Sequence, residues 1–212
     1  GQKDRPKQGR VPPEWLAPYA GFRARLDELI ANAGDEENSP FANCRHLPMP
    51  KHVGFGSCVY LALRRVETPY VLVLQHDRPC LRPFKAQQLI QVMESSGGLV
   101  KYLGLPTKAN LARSTPQSVQ TRCAIRLRGT HEDLTPTIAD AAKEASLQLR
   151  PLLFWYDSTH FCATAHYRTF VFAKGRVPGA GFPEDSLGQE MHAEICAAAQ
   201  AGDSWRDTHA KY

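Results

Sequence analysis

The stretch TPYVLVLQHDRPCLR, residues 68 to 82, constrains this chain more than any other. Five consecutive apolar, β-favouring residues, Tyr70 to Leu74, stop at Gln75-His76-Asp77, and Pro79 forbids continuation as a central strand. The pattern predicts a buried strand that delivers polar groups to its C-terminal edge. In open α/β sheets that edge is where ligands bind, and a carboxylate beside an imidazole suits a divalent cation or a proton transfer. The same residues also read as a turn in which Asp77 caps the segment that follows.

At 212 residues, with 42% hydrophobic and 22% charged residues, the chain has the make-up of one globular domain with a sizeable core. No apolar run reaches the length of a membrane span, and no signal-peptide pattern opens the sequence, which begins at Gly1. The formal charge of +5 comes partly from Lys3, Arg5, Lys7 and Arg10, which read as a solvated tail or as basic groups for a phosphate-bearing ligand. Arg122, Arg126 and Arg128 read as a solvated face, and without a nucleic-acid motif no nucleic-acid partner is expected. The six cysteines form no C-x-x-C pair and no zinc-type spacing with histidine, which argues against structural zinc. Cys58 and Cys196 fall on helical patterns as buried thiols, and no disulfide framework is expected.

Residues 1–13 read as a polar tail or lead-in, and residues 14–212 as one domain. Phe22, Leu26, Leu29 and Ile30 share a helical face in a helix that starts near Glu14 and ends at Gly34; a loop from Asp35 to Pro40 and a short extended piece from Cys44 to Pro50 follow. Gly54-Phe-Gly56 leads into a helix from about Ser57, its N-cap, to Val66. After the strand, a helix from Phe84 to about Glu94 turns Leu89, Val92 and Met93 inward, and Leu99 to Leu105 reads as a further strand. Residues 107–122, rich in Thr, Ser, Asn and Gln, read as a long surface loop. Cys123 to Arg128 reads as a half-exposed strand, Ile138 to Leu149 as a helix, and Leu152 to Tyr156 as a second apolar strand. Phe161 to Phe172 is ambiguous between strand and helix. Gly175 to Pro183 is a loop that opens, at Glu184-Asp185, a last helix with Leu187, Met191, Ile195 and Ala198 inside. Helix, tight link and strand in this order predict an α/β layer with parallel strands.

Three polar clusters stand at junctions between a regular element and a loop: Gln75-His76-Asp77, Asp157-Ser-Thr-His160 and Glu184-Asp185. Acidic residues at a helix start are favoured by the dipole, and Ser186 with Gln189 spells a capping box, so the third cluster has a purely structural reading. A Gly-rich loop running into the pair also lets the carboxylates approach a ligand, as a general base must. His160, like His52, His131 and His166, also reads as a core or edge histidine bonded to backbone. His192, two helical turns past Asp185, reads as solvated or as reaching the same site.

The glycine-led helix followed by TPYVLVLQHD, and the later GFPEDSLGQEM, resemble glycosyltransferase family 2. The resemblance runs from about Gly21 to the C-terminus. It implies a GT-A fold: an α/β, Rossmann-like, mostly parallel central sheet flanked by helices. Nothing before Glu14 matches the strand and βα unit with which the family begins, so a partial domain is implied, cytoplasmic or Golgi-associated within a longer protein. Gln75 stands where the family's metal motif has its first acid, and Asp77 matches the last.

The resemblance further implies an inverting sugar transfer from a nucleotide-sugar to a hydroxyl of a glycan, protein or lipid acceptor. Asp185 would be the general base with Glu184 beside it. Gln75, His76 and Asp77 would lie at the nucleotide-sugar, with a Mn²⁺ or Mg²⁺ held partly by Asp77 and His192 within reach. Trp155, Tyr156, Asp157 and His160 would face the acceptor. Two other classes fit the same residues: a metal-dependent hydrolase or phosphotransferase using His76, Asp77, His160 and Asp185, and a non-catalytic binding module.

Overall fold

The computed structural model describes residues 12–33, 38–49, 51, 53–178 and 181–212. Most of the predicted tail, Gly34 to Glu37 of the first helix end and loop, Pro50, His52 and two residues of the 175–183 loop lie outside them. The chain forms two compact units, Gly1–Val53 and Gly54–Tyr212. In the first, α1 (Pro13–Asn32) starts with Pro at its first position, where a missing N–H costs nothing, and buries none of its residues. Its Asp27 carboxylate pairs with His46 Nδ1 at 2.6 Å.

The second unit holds a three-stranded sheet built from β1 (Tyr70–Val73), β2 (Tyr102–Gly104) and β3 (His160–Ala163), in the order β1-β3-β2. Both pairings are antiparallel, and the described residues are mostly helical, which overturns the expected parallel Rossmann-like sheet. The reason lies in burial. Val71, Val73, Tyr102 and Cys162 join one apolar cluster, while Tyr70, Leu72, Leu103 and Phe161 join the other. A sheet covered on both faces needs apolar residues at every position, the pattern usual for parallel strands, and a continuous run does not encode strand direction.

The first cluster packs α5 (Pro116–Cys123) and α8 (Gln189–Ala201) on one face of the sheet; the second packs α3 (Ala86–Ser95) and α6 (Pro136–Glu144) on the other. Leu187, Met191 and Ile195 are buried as expected, and so are Val92 and Met93. The helix α2 (Phe55–Leu63) starts earlier than predicted, at Gly54 with φ 80°, where glycine rather than Ser57 serves as N-cap. At its other end the Arg168 guanidinium donates to the carbonyls of Leu63 and Val66, satisfying groups a helix terminus leaves unpaired.

Several local expectations are corrected. Residues 107–122 are not a loop but two short helices, α4 (Lys108–Arg113) and α5; their polar residues are caps, with a capping box between Thr107 and Asn110 and Thr115 capping α5 before Pro116. Cys123 ends α5 with Ala124 in the left-handed region at φ 58°, so the predicted strand 123–128 does not form. The helix α6 stops at Glu144. Leu152 to Tyr156 runs without ladder pairing; the strand is β3, and it passes at once into α7 (Thr164–His166) and a wide π-type turn, Tyr167–Val171. A second π-type turn, Glu184–Gly188, precedes α8, and the Ser186–Gln189 capping box is absent because Ser186 Oγ instead bonds Phe182 O. The short helix α9 (Trp205–His209) closes the unit.

Candidate functional site

Antiparallel pairing decides where the polar junctions meet. Val73 and Gly104, the last residues of β1 and β2, both lie opposite His160, the first residue of β3. The segments leaving β1 and β2 and the segment entering β3 therefore share one end of the sheet. Gln75 Nε2 donates to Asp157 O at 2.8 Å, and Leu105 N donates to Thr159 O at 2.9 Å. From another direction, Glu184 N donates to Asp157 Oδ2 at 3.0 Å while Asp157 N donates to Glu184 Oε2 at 3.1 Å. This reciprocal clamp sets two carboxyl groups side by side. The loop before Glu184 is held by the glycine-led helix: Gly56 N donates to Gly181 O, and Phe55 stacks on Phe182 at 5.0 Å. A Cβ on Gly56 would sit 2.3 Å from Gly181 O, so only glycine permits the approach.

The three clusters thus surround one polar cavity of about 170 Å³, lined by Gln75, Arg78, Tyr156, Asp157 and Glu184 among others. Asp157 is 3% exposed, and its Oδ1 has no hydrogen-bond partner. Burial pushes its carboxyl up to about 7; Glu184 and Asp185 add repulsion, and the Glu184 N–H only partly offsets this. Asp185 is exposed beside the clamp, and His76 and Asp77 are exposed on the chain leaving β1.

Other predicted site residues lie elsewhere. Trp155 is buried, its ring against Tyr102, His160 and Tyr167. His160 is fully buried, Nδ1 bonded to Ser158 O at 2.7 Å, as its structural reading required. Desolvation lowers it to about 4, so it is neutral near pH 7. His192 is not brought to Asp77: its near donors are Cys123 Sγ and Cys196 Sγ. These cysteines form a disulfide, which corrects the expectation that Cys196 is a free thiol. Among the described residues, Cys123, His192 and Cys196 are the one group of three His, Cys, Asp or Glu donors close enough to share an ion. The sequence did hold a signal for it, since His192 and Cys196 are spaced i,i+4 on a helix.

A larger, mostly apolar cavity of about 380 Å³ runs beside the edge strand β2, between α6 and α9. Among the described residues no helix is long and apolar enough to cross a membrane. Comparison with protein-family models, with curated proteins and with solved structures returned no match.

Proposed function

We propose that this chain transfers a sugar, with inversion, from a nucleotide-sugar to the hydroxyl of a glycan, protein or lipid acceptor. The observation that carries the reading is the arrival of Gln75, Asp157 and Glu184, one from each polar junction, around a single cavity. Asp185 is the proton acceptor. Its carboxylate is exposed, one residue beyond the cavity-lining Glu184, whereas Glu184 and Asp157 are engaged with each other's backbone. As the acceptor oxygen bonds to the anomeric carbon, the bond from that carbon to the diphosphate oxygen breaks. The hydroxyl proton passes to Asp185, and the nucleoside diphosphate departs. Arg78, lining the cavity, offsets charge on the leaving diphosphate.

Asp77, exposed on the chain leaving β1, would be the carboxylate that meets a cation arriving on the diphosphate. Mn²⁺ or Mg²⁺ held there would supply further charge neutralisation for the departing group.

Release of nucleoside diphosphate across a panel of nucleotide-sugars, with and without simple acceptors, tests the reading. Asp185→Asn is expected to lower turnover by roughly 10² to 10⁴ fold while leaving donor binding intact. Full activity in that variant removes Asp185 from the role, and no binding or turnover with any donor removes the reading itself.

A further inference from the structure

We propose that Cys123, His192 and Cys196 form a redox-gated site for a thiophilic d¹⁰ cation, Zn²⁺ in the first instance, open when the two cysteines are thiols and closed when they are a disulfide. The donors come from two helices. Cys123 is the last residue of α5, fixed where the chain turns through Ala124, and His192 and Cys196 lie one turn apart on α8. His192 Nδ1 is 3.7 Å from Cys123 Sγ and 3.8 Å from Cys196 Sγ. Tetrahedral zinc, with its usual bond lengths to sulfur and imidazole, requires nitrogen and sulfur ligands ~3.6 Å apart. His192 Nε2 lies 4.0 Å and 3.8 Å from the same sulfurs, so the ring is within reach of both and needs only a turn about its side-chain bonds to aim one nitrogen at a shared ion.

A structural disulfide has no use for that arrangement. Disulfide sulfurs are weak acceptors, so an imidazole beside two of them gains little, whereas beside thiolates it completes a three-ligand set. The Leu153 carbonyl also lies against the ring and orients it. His192 is only partly buried, so the group is reachable from solvent.

Opening the site takes two electrons and two protons from a dithiol, whose own sulfurs close to a disulfide. Zn²⁺ then displaces the two thiol protons to solvent. Oxidation by a disulfide reverses the sequence and expels the cation.

The test uses the full chain carrying Cys44→Ser and Cys80→Ser, which removes the two exposed free thiols. After reduction by a dithiol and its removal, Zn²⁺ is titrated in competition with a chromophoric chelator. Tight uptake of one equivalent is expected, weakened roughly a hundredfold or more by His192→Ala and lost on oxidation. Co²⁺ supplies a second measurement that needs no further variant: reduction should bring in thiolate-to-cobalt charge transfer and tetrahedral d–d bands, and oxidation should remove them. The proposal is overturned if the reduced protein binds Zn²⁺ no more tightly than the oxidised protein, or if Co²⁺ gives no thiolate band.

Discussion

Asp157 makes the candidate site testable through stability alone, before any substrate is known. Its carboxyl titrates at 3.8 in an unfolded chain and at about 7 in the fold, a difference corresponding to ~4 kcal/mol. The sign follows from proton counting. Between those two values the folded state holds the proton and the unfolded state has released it, so stability falls as pH rises and the full cost is present above about 7. Asp157→Asn keeps the shape and keeps an oxygen to accept the Glu184 N–H, but removes the ionisation. Near pH 4 the variant should match the parent or be slightly weaker. Near pH 8 it should be more stable than the parent by between ~2 and ~4 kcal/mol, the lower figure allowing for local relaxation around the charge. Urea unfolding of both proteins across that range measures the offset, and titrating groups not coupled to Asp157 cancel in the difference. An offset that is the same at both ends would refute the reasoning, because Asp157 would then ionise freely and the clamp would be a solvated surface pair.

Two further outcomes follow from the same geometry. His160 works in the opposite direction: held neutral down to about 4 against 6.5 unfolded, it contributes stability above 6.5 that is lost as pH falls towards 4, about 3 kcal/mol in all. His160→Asn should flatten that acid limb of the unfolding profile, and an unchanged limb would show that the ring charges in place. Gly188→Ala places a Cβ 2.9 Å from two ring atoms of Phe154 and from Trp155 O, so thermal unfolding should report a loss of roughly 1 to 3 kcal/mol, and an unchanged midpoint would mean that the turn before α8 yields freely.

The polar ends of elements were legible in the sequence; how the elements pair was not. Gln75, Asp157 and Glu184 each stand where an apolar run or a glycine-rich loop gives way to polar groups, and local pattern suffices to find such breaks. That they meet depends on β3 running between β1 and β2, a fact carried by pairings some 90 residues apart in the chain, such as Val73 with His160. Local pattern holds nothing of that kind. Residues 107–122 misled for a different reason. Threonine, serine and asparagine favour both loops and helix caps, and here Thr107 and Thr115 cap helices too short to show an apolar stripe. The Cys123–His192–Cys196 group was half visible, since the i,i+4 spacing of the last two is local while the first lies 69 residues before His192.

The two sites are joined through α8. The turn leading into it carries Glu184 and Asp185, and its second and third turns carry His192 and Cys196. The disulfide spans 73 residues, a segment that includes Asp157 and both acids, and closing a loop of that length removes ~4 kcal/mol of chain entropy from the unfolded state. That is the size of the cost that Asp157 imposes above pH 7. A fold with a buried acid forced against Glu184 is sustained by a cross-link enclosing it, and reduction withdraws that support unless another tie replaces it. A cation shared by α5 and α8 is such a tie, stabilising the fold by ~2.7 kcal/mol when free metal stands at a hundred times its dissociation constant. On this argument the Cys–His–Cys site holds the acid-bearing helix in place in either redox state, by a covalent bond in one and by a metal in the other.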